Sequence, residues 1–391
     1  MAAHQRHSWW GLAVAAVFVV AGCQESTGPQ AHPADPAGLS SDLQTLSGVL
    51  ESPTFQSFSK VSDTTTGSPV AAPSRIGTLL RAAPIMPPRT SSTLDLNAAV
   101  RLLALRRSAV TFSGGISASV VPTPLLGKTF VWDVTTHAYV EDPSATPAAD
   151  PTGVRMILYA IDPNSGDIGE NPLTAVGFVD LVDESTAAPP VDKLHVIVSG
   201  GTPAAPATEY ANYTVSGQVT GNPVTAFTAT AAGFVSEGTH TLTFSATYAV
   251  TQVDSDNPDV QIDVTWALDN PAIQVALHEA VGLSDANHVT ITITEFSITR
   301  GTEAVSMHGT IAVTLLSPAT ESVSFNLTID VNDVPWIRIR GIDNGVTVVH
   351  ADGTQLSPAE EEAFLDLFGL SVSCANAMSS LFGPPGTLMG A

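Results

Sequence analysis

The chain has 391 residues, with 14 lysines and arginines against 37 aspartates and glutamates, giving a net charge of −23 at pH 7. With lysine confined to Lys60, Lys128 and Lys193, and no arginine run longer than Arg106-Arg107, attraction to nucleic acid or to anionic lipid headgroups is not expected. Two cysteines, Cys23 and Cys374, do not make a disulfide framework.

The chain opens on Met1-Ala-Ala-His-Gln-Arg6-His-Ser, a short basic lead, and continues as an uncharged apolar run of 13 residues from Trp9 to Ala21. That is a signal-peptide layout, and it falls short of the roughly 20 apolar residues that a membrane-crossing helix needs. The run ends on Val20-Ala21-Gly22-Cys23. These four residues resemble the lipobox of bacterial lipoproteins: an aliphatic residue, two small residues that a peptidase cleft admits, then the cysteine whose thiol accepts lipid.

The resemblance covers the first 23 residues and implies cleavage before Cys23, acyl groups such as palmitate on its thiol, and attachment to a membrane. In that family an Asp after the lipidated Cys often retains the protein at the inner membrane. This chain has Gln24 there, so the resemblance points to the outer membrane. Without residues 1–22 the charge is −24. Cys374 then has no partner, and among Leu370, Val372, Ala375, Ala377 and Met378 it reads as a buried, inert thiol.

Residues 23–33 are polar and proline-containing, as a lipid-anchored tether would be. Over residues 34–110 a helical segment and a linker are expected. Leu39, Leu43, Leu46, Val49 and Leu50 recur at steps of three and four, Pro53 interrupts, and Phe55 and Phe58 follow. Residues 63–91 are rich in Thr, Ser, Pro and Gly, and a short second helix is expected from Leu94 to Leu105.

From about residue 111 to 356 the period is two. Leu242 to Val250, Val260 to Leu268, Val289 to Thr294, Ile311 to Leu315 and Val323 to Val331 each alternate apolar with small polar residues, as strands with one packed and one wet face do. The joints are short turn sequences, among them Asn164-Ser165-Gly166, Glu237-Gly238, Arg300-Gly301 and Asp343-Asn344-Gly345, so successive strands pair antiparallel. Residues 357–391 return to helix: Ser357-Pro358-Ala359-Glu360 combines a cap, a first-turn proline and a capping-box glutamate, ahead of the apolar face Ala363, Phe364, Leu367, Phe368 and Leu370.

The fold class expected is mainly β, a long antiparallel meander with helices at both ends. It forms a curved sheet or partial barrel with the helices on its concave side, or two sandwiches divided near Gly201–Pro206 or Asp254–Asp259. Five tyrosines and five tryptophans are few for the interfacial girdles of a membrane barrel.

Signals for chemistry are sparse. His278-Glu279-Ala280-Val281-Gly282 begins like a zinc-protease motif but has Gly in place of the second ligand. His32, His137, His195, His240, His288, His308 and His350 are scattered singly, and no nucleophile elbow, phosphate loop or dinucleotide fingerprint is present. Asp254, Asp256 and Asp259 put three carboxylates in six residues and form a candidate hard-cation loop, though an EF-hand would have Gly where Asp259 stands and Glu where Thr265 stands.

No cofactor and no catalytic residue is expected. The expectation is a lipid-anchored, non-catalytic envelope protein with a binding or structural role, its partner a membrane through the anchor and a protein or apolar ligand beyond it. Two alternatives stand beside it: a carrier for an apolar ligand in a half-barrel, and a hydrolase with a dispersed site.

Overall fold

The structure, a computed structural model, describes residues 32–49, 57–58, 120–121, 123–187, 190–221, 225–252, 259–285, 288–317, 320–368 and 370. The signal peptide, the linker, the second helix expected at Leu94–Leu105 and Cys374 lie outside the described residues.

The first helix, α1 (Pro36–Gly48), starts where the Asp35 carboxylate accepts Gly38 N–H at 3.0 Å, satisfying one of the donors that a helix start leaves open. Leu39, Leu43, Leu46 and the following Val49 are at most 1% exposed, so the periodicity read from the sequence is the buried face. The second, α2 (358–368), carries the expected capping box: Ser357 N–H donates to Glu360 Oε2 at 2.9 Å, and Glu360 N–H reaches Ser357 Oγ at 3.4 Å. It buries Ala363, Phe364 and Leu367. The helices meet through Asp366, which accepts from Ser40 Oγ, and from Gln44 Nε2 at 3.2 Å.

The strands are β1 (Lys128–Asp133), β2 (Ala138–Glu141), β3 (Gly153–Tyr159), β4 (Ala175–Asp183), β5 (Thr186–Ala187), β6 (Pro190–Thr202), β7 (Ala205–Thr220) and β8 (Ala226–Ser236). After them come β9 (Thr241–Thr251), β10 (Asp259–Leu268), β11 (Ile273–Asp285), β12 (His288–Arg300), β13 (Glu303–Ser317), β14 (Thr320–Val331), β15 (Val334–Ile342) and β16 (Thr347–His350). They make one open sheet in which β6 to β16 are neighbours in chain order and the far end runs β6-β4-β3-β1-β2, with β5 beside β6.

Both places where two sandwiches could have parted are hairpins inside this sheet. Gly201 pairs with Pro206, and Asp259 with Thr251. One pair departs from the expected antiparallel meander: β1 and β3 are parallel. The connection from Asp133 to Gly153 contains β2 and is long enough to return the chain to the same end, which puts β1 between its hairpin partner and β3.

Alternation is the reason for the sheet's two characters. Leu242, Phe244, Ala246, Tyr248 and Val250 of β9 face inward, and Thr243, Ser245, Thr247 and Thr251 face outward. In β12 a bulge between Ile293 and Phe296 turns both Thr294 and Glu295 outward and returns Phe296 and Ile298 to the core, which a strict period of two would not do. The inner residues of β1 to β15 and both helices' apolar faces form one contiguous core. Fifteen strands span about 70 Å at their usual spacing, against about 20 Å for a 13-residue helix. The described helices alone do not cover that width, and strands in a sheet are rotated relative to one another by their twist.

Gly233 of β8 shows how tightly the inner face is filled. It lies in register between Tyr213 and Phe244, and the Tyr213 ring spans it to stand 5.6 Å from that of Phe244. A Cβ at Gly233, where φ is +153°, would come within 2.5 Å of Tyr213 Cα and Cβ. Gly233→Ala should therefore lower stability by about 1–3 kcal/mol, the usual overpacking range. Gly282→Ala, whose Cβ would meet nothing within 4 Å, should be near neutral in the same denaturant titration.

Candidate functional site

Of the residues singled out in the sequence, Cys23, Asp254 and Asp256 lie outside the described residues. Asp259 opens β10, exposed, and accepts Gln252 Nε2 at 3.2 Å. Among the described residues no group of three or more His, Cys, Asp or Glu is placed to hold a metal ion.

His278-Glu279 sits on strand β11, not on a helix. The two side chains consequently leave opposite faces. His278 points outward, with Nδ1 2.7 Å from Asp263 Oδ1. Glu279 is on the inner face, in register with Ile262 and Ile293.

The scattered histidines share one arrangement. His137, His195, His240, His278, His308 and His350 each stand within 3.4 Å of a carboxylate, that of Glu170, Glu184, Glu237, Asp263, Asp330 and Glu360 respectively. The fullest network surrounds His195. Glu184 takes Lys193 Nζ at 2.6 Å and His195 Nδ1 at 3.2 Å, His195 Nε2 meets Asn212 Oδ1 at 2.8 Å, and Asn212 Nδ2 donates to Glu209 at 2.8 Å. The Lys193 hydrogen bond, with the smaller effect of His195, holds the Glu184 carboxyl below its ordinary range. Both imidazole nitrogens are engaged, so this ring is held in place by its neighbours.

A groove of about 400 Å³ opens on the outer face across β9 to β12. It is lined by Thr243, Ser245, Thr265, Ala267, Gln274, Ala276, Ser297 and Thr299 over the backbone of Phe244, Trp266 and Val275. It offers hydroxyls, one amide and no titratable group. Along one side runs the cross-strand row Asp263, His278 and Glu295. Ser297 Oγ donates to Glu295 at 2.8 Å and His278 is turned to Asp263. The serine and the histidine are thus committed to different carboxylates, and no nucleophile–base pair forms between them.

The inner face holds a different kind of polar group. Trp132 Nε1 donates to Glu170 at 2.9 Å, Trp336 Nε1 to Glu360 at 3.4 Å, and Tyr139 Oη to the Ile157 carbonyl at 3.0 Å. On β9 and β10, by contrast, Tyr248 Oη and Trp266 Nε1 are sealed from solvent with no hydrogen-bond partner among the described residues. Burial pushes the Tyr248 hydroxyl far above its ordinary range. An unsatisfied buried donor costs roughly 1–3 kcal/mol.

Two further arrangements escaped the sequence reading. Arg155 on β3 is 8% exposed. It grips Asp180 of β4 at 2.6 and 2.8 Å and the Pro147 carbonyl at 3.1 Å, with its guanidinium 4.9 Å over the Phe178 ring. This clamp ties the connection after β2 to the outer side of β3 and β4. The Asp183 carboxylate accepts the N–H groups of Val120, Val121 and Ser185 at 2.9, 3.2 and 3.0 Å. Asp192, buried on β6, is pushed up to about 6 by burial and by the charge of Asp183. Each arrangement depends on residues far apart in sequence, with no local motif to announce it.

No protein-family model, no curated protein and no solved structure matches this chain.

The raised Asp192 carboxyl gives a pH dependence with a definite sign. Between the unfolded carboxyl value near 4 and about 6 the folded state holds a proton that the unfolded chain has released, so this group's contribution falls as pH rises through that window. Asp192→Asn should raise the melting temperature at pH 7 by a few degrees, on the order expected for 1–2 kcal/mol in a chain this size. It should leave melting near pH 4 unchanged. Equal melting of variant and wild type at pH 7 would show an ordinary Asp192 carboxyl.

Proposed function

We propose that this chain is a lipid-anchored, non-catalytic protein of the cell envelope, held at the outer membrane through acyl chains on Cys23 and acting by binding. The observation that carries the reading is the sequence Val20-Ala21-Gly22-Cys23 at the end of a 13-residue apolar run, too short to span a bilayer and followed by a polar tether. A non-catalytic role draws support from the described side chains. Six of the described histidines stand against carboxylates, and the outer groove is lined by hydroxyls and an amide with no titratable group.

A second reading, a carrier for an apolar ligand, draws its support from Tyr248 and Trp266, whose buried donors have no acceptor among the described residues.

Growth with labelled palmitate tests the anchor. The wild-type chain should carry label, sediment with outer membranes and be released by detergent, while Cys23→Ser should lose both label and sedimentation. An unlabelled, freely soluble wild-type chain would remove the anchor and the reading built on it.

A further inference from the structure

The groove on the outer face follows two cross-strand rows, one from Thr243 to Thr299 and one from Ser245 to Ser297. They lie about 7 Å apart, the spacing of alternate residues on a strand. Ala267 and Ala276 occupy the two middle strands, where a one-carbon side chain leaves about 400 Å³ open. Thr243 Oγ1 donates to the Ala267 carbonyl at 3.2 Å and Ser297 Oγ to Glu295 at 2.8 Å. The exposed side chains of Ser245, Thr265, Gln274 and Thr299, by contrast, make no hydrogen bond among the described residues. Phe234 extends the Thr243 row by one strand onto β8. Its ring is half-buried on the outer face, apart from the hydrophobic core.

This lining selects its ligand by chemistry. An extended peptide pairs with a sheet at its edge, and β9 to β12 have strands on both sides. An anion would meet no cation in the lining and a chain of net charge −23; a cation would meet no carboxylate there. Hydrocarbon would cut hydroxyls and an amide off from water. A neutral polyol matches on every count. Its hydroxyls donate and accept, as serine, threonine and glutamine side chains do, and the C–H face of a sugar ring carries the slight positive charge that an aromatic face attracts. Resting on the binding role proposed above, we propose that the groove takes a neutral oligosaccharide, running across β9 to β12 with its hydroxyls bonded to Ser245, Thr265, Gln274 and Thr299 and one ring against Phe234.

The test uses the full chain in a zwitterionic detergent free of sugar. It is titrated by calorimetry with cellohexaose, maltohexaose, laminarihexaose and mannohexaose, and with hexagalacturonate as the acidic control. Saturable binding of at least one neutral hexamer is expected, with none of the acid, and the preferred hexamer gives the linkage. Thr265→Val, which keeps the shape and removes the hydroxyl, Gln274→Ala, and Phe234→Leu, which removes the aromatic face, should each weaken that hexamer roughly 10-fold, the equivalent of about 1.4 kcal/mol. Ala276→Leu, which fills the groove, should abolish binding. Thr265→Val should melt with its parent, so its weaker binding is not a loss of fold. Failure of all the neutral hexamers to bind, binding of hexagalacturonate as tight as theirs, or unchanged affinity in Thr265→Val and Ala276→Leu would each overturn the site. Palmitate labelling of Cys23 is read separately, so failure of the site and failure of the anchor do not masquerade as each other.

Discussion

A sheet whose strands alternate apolar and polar side chains has one face that must be kept from water, and every other feature of this structure answers to that requirement. From β1 to β15 the inner residues join one core with the apolar faces of α1 and α2. The covering helices are fixed by polar contacts to residues at strand ends. Arg300 at the end of β12 holds Asp42 of α1 at 3.1 Å and Glu303 at 3.0 Å, and Glu303 in turn accepts Ala34 N–H at 2.7 Å. Glu360 serves α2 in the same way, as capping-box partner, acceptor for Trp336 and neighbour of His350. Burial supplies the driving force, and these carboxylate-centred contacts choose which strand ends the helices lie against.

The open ends of the sheet are handled by brevity. β2 and β16, the outermost strands, have four residues each, and short edges offer little backbone for another chain to pair with. β3 and β4, two and three steps in from the β2 end, are further protected on their outer side by the Arg155–Asp180 clamp and the connection it ties down. The parallel pairing of β1 with β3 belongs to this end alone; elsewhere tight turns dictate antiparallel neighbours.

Much of the fold was legible because it is local. The period of two in β9, β10, β12 and β14, the turn glycine at Gly301, the heptad-like leucines of α1 and the Ser357–Glu360 capping box each announce themselves within a dozen residues. What the sequence concealed is relational. Nothing near Lys128 says that β1 will meet β3 in parallel. The bulge after Ile293 reads as continued alternation until Phe296 has to face inward. For the site the loss was greater. Some histidines looked solitary because their carboxylates come from neighbouring strands, as Asp263 does for His278, or from a helix, as Glu360 does for His350, whereas Glu237 stands three residues before His240. A tyrosine and a tryptophan on adjacent apolar strands look like core in any sequence; that their donors lack acceptors among the described residues is visible only in the folded chain.

The division between the two faces also bears on where binding resides. The outer face over β9 to β12 is small hydroxyls on a rigid floor, and its charged residues are already paired, so a charged partner there would have to break bonds as good as those it made. The inner face carries the opposite balance. Its apolar residues are satisfied by one another, and among the described residues Tyr248 Oη and Trp266 Nε1 are buried there without a partner, so an acceptor that reached either donor would gain a hydrogen bond without first breaking one.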